Sequence, residues 1–297
     1  MDLSCREDLV GADKASSSVL VVADDGTTSA DELQCLRARE RTTAPSAMYL
    51  LLVQAQGVVE ASRDHICCWI AEVALEFHFS RITTAVAINY LDRYLSQHAS
   101  TPHRLQLVGL VAILIASKFH EKDGISMDEA KEIAANVFTV EDITRMEANM
   151  LSALQWKLHA VVPAMYIDTF LQDLQQTRLM APTCADMTAV HHTAYIQLGF
   201  LPSTVAIAIS HLAYDVHGLS KAPLDAYLKR MDMDPESNDV ADCQRQLRML
   251  LPAHLWKTKK RDRSPSPSGV DDVFHCIEPD DEDEECVVPE AKRAKTS

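Results

Sequence analysis

The sequence predicts an all-α fold of two five-helix repeats, each wrapped around a buried third helix. Three observations carry this. Glycine is scarce, 8 in 297 residues, while Ala, Leu and Met are common, which favours helix over sheet. Leu105–Lys118 (LQLVGLVAILIASK) has no charge between Leu107 and Ala116, so it is apolar around its whole circumference and must be buried on all sides. A second nearly uncharged run, Thr204–Leu212, holds the same place, third of five, in the second half of the chain.

Taken in order, residues 1–44 are rich in Asp, Ser, Thr and Ala and are expected to be a mostly disordered arm, with a helical turn around Asp31–Arg41. Ordered chain is expected from Pro45, with a short helix over Met48–Gln56. In Ser62–Phe77 the residues Ile66, Ile70, Val73 and Phe77 recur at spacings of four, three and four, one face of a helix, and Trp69 widens it. Ser80 is placed to cap a helix over Ile82–Ser96, where Val86, Ile88, Tyr90, Leu91 and Leu95 make a broad apolar surface. Thr101 and Pro102 suit the start of the central helix, and Lys118 its end. At ~1.5 Å per residue its fourteen residues reach ~21 Å, short of the ~30 Å core of a bilayer.

Ser126-Met127-Asp128-Glu129 has the form of a capping box, so a helix is expected from there to about Val137. Thr139-Val140-Glu141-Asp142 is a looser second start, followed by the stripe Ile143, Met146, Met150, Leu151 and Leu154. This closes a first unit, residues 45–160. Pro163 opens the helices of a second, residues 161–256, expected at about 163–175, 183–199, 202–217, 222–230 and 238–250. After Trp256 the composition turns basic over Lys257–Arg263, then reads SPSPS, then becomes Pro/Asp/Glu-rich. Residues 257–297 are expected to be a disordered tail.

Apolar residues make up 47% of the chain, enough for a sizeable core, and the formal charge is −15. Ten acidic residues lie between Gly269 and Glu290, where there is no Lys or Arg, so the rest of the chain carries only −5. A mildly acidic body argues against direct nucleic-acid binding, which needs a basic face. The first twenty residues lack a basic start followed by an apolar run, so no signal peptide is expected, and no stretch is long enough to span a membrane. The eight cysteines show neither CxxC nor zinc spacing. Cys67, Cys68, Cys184 and Cys243 fall inside helical patterns, as expected of buried thiols in a reducing compartment. There is no nucleophile elbow, phosphate loop or HExxH motif, so no catalytic residue, metal or cofactor is expected.

Four segments, in this order and spacing, carry a family resemblance: NYLDRYLS at Asn89–Ser96, LQLVG at Leu105–Gly109, ASKFHE at Ala116–Glu121 and RME at Arg145–Glu147. Together they resemble the cyclin box, and the resemblance runs over roughly 46–252. It implies two five-helix repeats, in agreement with the periodicity. It also implies a regulatory subunit and not an enzyme, one that docks beside the regulatory helix of a cyclin-dependent protein kinase and holds it active. Lys118 and Glu147 fall where the family bonds to the kinase backbone, and Phe119, Leu151 and Leu158 where it makes apolar kinase contacts. Two charges at the edge of an apolar surface fix a partner's orientation. Arg63 and Asp92 match the family's buried ion pair between its first two helices. Ile66, Trp69, Glu72 and Gln106 match a substrate-docking groove for Arg-x-Leu peptides. Ser62 and His65 stand where the family has Met and Ile, so the docking is expected to be weak.

Leu3-Ser4-Cys5-Arg6-Glu7 has the form Leu-x-Cys-x-Glu, which puts Leu3, Cys5 and Glu7 on one face of an extended strand. In D-type cyclins such a motif near the N-terminus binds retinoblastoma-type pocket proteins, so the resemblance points to a D-type cyclin of the G1/S transition. Lys257–Arg261 and Lys292–Lys295 are basic clusters of nuclear-import type, and Ser264 and Ser266 each precede a proline, as Pro-directed kinases require. Nucleus and cytoplasm are the expected locations. Two alternatives fit parts of the pattern. A cyclin of transcriptional or phosphate-signalling type would not need Leu3–Glu7. A cyclin-fold general transcription factor would bind promoter DNA, and the acidic body speaks against it.

Overall fold

The computed structural model describes residues 28–252, apart from Gln56, together with Leu255. Among these residues there are twelve α-helices and no strand. Helices α1 (Ser29–Glu40) and α2 (Tyr49–Leu52) precede a set of five: α3 (Glu60–Glu76), α4 (Arg81–Leu95), α5 (Pro102–His120), α6 (Met127–Ile133) and α7 (Val140–Ala153). A second set of five follows: α8 (Pro163–Asp173), α9 (Thr177–Thr193), α10 (Pro202–Val216), α11 (Ala222–Arg230) and α12 (Asn238–Leu250). A 3-10 turn, Tyr195–Gly199, joins α9 to α10. The all-α fold of two five-helix repeats is therefore as the sequence implies.

The uncharged runs become the two axes. From Leu105 to Ser117 every residue of α5 except Gln106 is buried, with α3, α4, α6 and α7 packed around it. Full burial of a side chain such as Leu110, Ile113 or Leu114 stabilises by about 1.5–3 kcal/mol. In the second repeat α10 is buried from Val205 to Tyr214, against α8, α9 and α12. Gly109 sets the closest approach in the first repeat. A Cβ there would lie 2.7 Å from Ile66 Cγ1, so α3 rests directly on the α5 backbone.

Polar side chains fix the helix starts. The hydroxyls of Ser80, Ser126, Thr139 and Ser237 each accept a backbone N–H of the first turn they precede. Ser126 and Thr139 both form complete capping boxes, although Thr139 is paired with Asp142 in place of the usual Glu or Gln. Thr101 makes no such bond, and α5 begins at Pro102, three residues ahead of the uncharged run.

Several expectations need correction. Residues 29–40, assigned to a mostly disordered arm, form α1. Thr28 caps it with a full capping box, and its Leu33 and Leu36 are buried in the core of the second repeat. Its last residue, Glu40, is buried and accepts from Ser203 N at 3.0 Å, Ser203 Oγ at 3.0 Å and the Tyr166 hydroxyl at 3.1 Å. A carboxylate thus sits at the N-terminus of α10, where the helix dipole favours negative charge. The leading helix α2 is four residues long, not nine as Met48–Gln56 would be. Helix α6 stops at Ile133 and not near Val137, because Ala135 and Asn136 turn left-handed. Helix α9 starts at Thr177, with Pro182 inside it, where a start near 183 was expected. Cys67, Cys184 and Cys243 are buried, but Cys68 is exposed. Leu3, Cys5, Glu7, Ser264, Ser266 and the basic clusters Lys257–Arg261 and Lys292–Lys295 lie outside the described residues.

Candidate functional site

The last turn of α5 and the facing side of α7 bring two of the expected residues into direct contact. Lys118 Nζ lies 2.7 Å from Glu147 Oε1, with the lysine side chain 45% exposed and the glutamate 19%. The end of α5 is held from inside. Ser117 Oγ donates to Leu114 O at 3.0 Å and accepts from Ile125 N at 3.1 Å, which folds the following loop back over the helix end. Gly124 makes that return possible, since a Cβ there would crowd the Lys118 backbone at 3.0 Å.

Phe119 follows Lys118 and is exposed, with its ring edge-on to His159 at 4.8 Å and to His120 at 5.0 Å. Leu151 and Leu158 are half-buried against the first core. The segment carrying Leu158 is tied down by α4. Arg93 donates to Leu154 O at 3.0 Å and to Lys157 O at 2.9 Å, and the Tyr90 hydroxyl donates to Leu158 O. Tyr90 and Arg93 belong to NYLDRYLS, but nothing in that segment signals this role, because their acceptors are backbone carbonyls. Arg39 of α1 adds a bond to His159 O at 3.3 Å. Lys118, Phe119, Glu147, Leu151 and Leu158 are thus supplied by the end of α5, by α7 and by the segment that follows it.

Arg63 and Asp92 are both fully buried and doubly bonded, Nε to Oδ1 at 3.1 Å and Nη2 to Oδ2 at 2.7 Å. Burial disfavours the guanidinium charge, but Asp92, with Cys67 and Tyr49 adding to it, offsets this, so Arg63 holds its proton above the ordinary arginine value. The Tyr49 hydroxyl donates to Asp92 Oδ1 at 2.8 Å. Arg63 also donates to Thr193 O at 2.8 Å and His192 O at 3.2 Å. The pair therefore joins α3 to α4 as expected, and in addition fastens the first repeat to the end of α9.

A groove between α3 and the start of α5 is lined by Ala61, Ser62, His65, Ile66, Trp69 and Gln106, with Pro102 and Leu105 at its α5 side. Ile66, Trp69 and Gln106 are where the resemblance puts them. Glu72 is exposed on α3 but does not line the groove. Among the described residues no group of three or more His, Cys, Asp or Glu is arranged to hold a metal ion, and no helix is long and apolar enough to cross a membrane.

Comparison with known proteins adds the following. Residues 31–159 match the family model described as Cyclin, N-terminal domain, a span that starts inside α1 and ends just after α7. A putative cyclin-A3-1 of Arabidopsis thaliana is 32% identical over 213 residues, which covers 70% of this chain and 59% of that protein. A cyclin-A1-2 of Oryza sativa subsp. japonica is 27% identical over 233 residues, covering 76% and 48% respectively. The chain thus spans about half the length of the relatives it matches. Among solved structures, a viral cyclin from herpesvirus saimiri superposes with a TM-score of 0.63 at 18% identity, over 73% of this chain and 95% of that one. A chain of the yeast RNA Pol II CTD kinase complex CTDK-1 superposes with a TM-score of 0.52 at 11% identity, over 72% and 70%. At such identities these two likenesses concern the fold.

Proposed function

We propose that the chain is a member of the cyclin family, on the domain match at residues 31–159 and the cyclin-like helical fold around it, and that it is a non-catalytic regulatory subunit which binds and activates a cyclin-dependent protein kinase. One observation carries the reading: Lys118 and Glu147 meet at the edge of a face that also presents Phe119, Leu151 and Leu158. The face is pinned by Tyr90, Arg93, Ser117 and Gly124, so little ordering is left to be done when a partner docks. Paired in the free chain, Lys118 and Glu147 remain solvated until backbone groups of the kinase replace part of that pairing. Affinity capture of the intact chain, with identification of the bound kinase and a phosphotransfer assay, tests this. A cyclin-dependent kinase is expected, active in the complex. Capture of none, or phosphotransfer by the purified chain alone, would overturn the reading.

Two subtypes divide the finer reading. The Leu3–Glu7 motif supports a D-type cyclin that promotes G1/S progression through a retinoblastoma-type pocket protein. The names of the relatives support an A-type cyclin. A peptide covering Met1–Lys14 separates the two. On the D-type reading it binds a pocket domain, and Cys5→Gly with Glu7→Lys weakens binding by at least about tenfold. Equal binding by both peptides, or by neither, leaves the A-type reading. Residence in nucleus and cytoplasm, with control through Ser264 and Ser266, rests on the basic clusters and the Ser-Pro pairs beside them.

The groove between α3 and α5 is part of the same proposal, as a weak site for Arg-x-Leu substrates. Ser62 and His65 line it in place of apolar side chains. Burying one Met-sized side chain is worth about 1.5–3 kcal/mol. Ser62→Met with His65→Ile is therefore expected to tighten an Arg-x-Leu peptide at least about tenfold, read by titration. Submicromolar binding by the native chain would contradict the weak-groove assignment.

A further inference from the structure

The end of α9 carries two adjacent imidazoles whose enclosed ring nitrogens have no hydrogen-bond partner. The rings of His191 and His192 lie 5.1 Å apart at 74°. Both ring nitrogens of His191 and Nε2 of His192 are closed off from solvent and have no hydrogen-bond partner, and the same holds for Oδ1 of Asn89 on α4. These three residues line one cavity of about 70 Å³. It lies where the repeats meet, with Arg63, Ile88 and Asp92 from the first and Phe200, Pro202 and Val205 from the second. A buried polar atom without a partner loses its hydration and gains nothing in return. Four such atoms at one joint favour a joint that opens.

The charges around the rings decide what opens it. Arg63 is bonded to the carbonyls of His192 and Thr193, so its cation lies beside both rings. Asp92 and Asp64 are both engaged by that same guanidinium. From α8 and α10 the cavity receives only Pro163, Pro202 and Val205, and Tyr195 in the following turn donates its hydroxyl to Ala47 O. A proton added to either ring would meet Arg63 with no free carboxylate at hand.

We propose that this joint is a proton-sensitive latch: with both imidazoles neutral the repeats stay closed, and a proton on either ring opens the junction of α3 and α4 with the end of α9 to water. Burial first, and then the neighbouring charge, supports this by holding both rings below the ordinary imidazole value of 6.5, His192 at about 4. The closed form then binds fewer protons than the open one between those two values. Closure is complete above about 6.5 and is lost as the pH falls towards 4. From His192 alone, opening at pH 5 is expected to be about twentyfold more frequent than at pH 7.

Hydrogen–deuterium exchange on the full chain at pH 7 and pH 5, corrected for intrinsic exchange rates, tests this. Amides of residues 186–193 and of the start of α3 are expected to lose protection about tenfold or more at pH 5. The amides of α5 are expected to keep theirs. His191→Gln with His192→Gln, which leaves uncharged hydrogen-bonding groups in place, is expected to remove the response, and His192→Gln alone to reduce it. Unchanged protection at the joint, loss spread equally over α5 and α9, or a full response in the glutamine variants would overturn the proposal.

Discussion

Arg63→Ala is expected to destabilise the chain by about 3–5 kcal/mol, because it leaves Asp92 as a buried charge with no cationic partner. The loss has a second component. Arg63 donates to the carbonyls of His192 and Thr193, and these acceptors would face a void with no donor. Tyr49 would still donate to Asp92, which is too little to hold a full carboxylate charge away from water. Urea unfolding at pH 7 measures the effect as a fall in midpoint. Arg63→Met with Asp92→Leu separates the two components. That double variant removes both charges and roughly keeps the volume, so the desolvation cost disappears. The carbonyls of residues 192 and 193 and the Tyr49 hydroxyl remain without partners, so its stability is expected between those of Arg63→Ala and the native chain. An Arg63→Ala chain within about 0.5 kcal/mol of native would behave like an ordinary surface substitution and would remove the pair as the fastening between repeats.

The two axes of the fold were legible because an uncharged run admits one solution in water: burial on every side. Helix starts were legible where a hydroxyl residue leads into an apolar stripe, as at Ser80, Ser126 and Thr139, but not at Thr28, whose capping box with Asp31 opens a segment without such a stripe. Helix ends were not. The usual sign is a glycine in the left-handed region, and only α10 has one, Gly218. After α3, α6, α7, α8 and α11 the same turn is made by His78, Ala135, Gln155, Gln175 and Asp232. Each bears a Cβ that disfavours this geometry, and tertiary packing overrides the preference. Helix α1 reads as no more than a helical turn because only Leu33 and Leu36 anchor a strongly charged segment, and its docking partners, α8 and α10, bond to Glu40 from 126 and 163 residues away in sequence. The true start of α9 is hidden because Pro182, inside the helix, reads as a breaker. The charged residues of the candidate site were found through the ASKFHE and RME segments. Nothing local in those segments announces that Lys118 and Glu147 pair across 29 residues, or that Arg63 reaches two carbonyls at the end of α9.

Exchanging the two charges, Lys118→Glu with Glu147→Lys, is expected to abolish kinase capture while leaving the fold in place. The contact between them explains why this exchange decides more than a single reversal. Lys118→Glu alone would replace the ion pair with two facing carboxylates, and a loss of binding could then follow from local repulsion. The exchange preserves an ion pair of the same two groups. An exposed pair contributes about 0–1 kcal/mol, so circular dichroism and urea unfolding should differ little from native. A purely structural role for the pair therefore predicts no change in binding. A docking role predicts a large one, because each partner group on the kinase then faces the wrong charge. Disrupting hydrogen-bonded charges at a buried interface costs about 2–5 kcal/mol, which is about thirtyfold or more in affinity. Titration of the captured kinase with native and exchanged chains reads the difference directly. Native-like binding by the exchanged chain would sink the assignment of Lys118 and Glu147. Phe119→Ala then tests the apolar part of the face by itself: the ring is 40% exposed, so its removal should alter binding far more than stability.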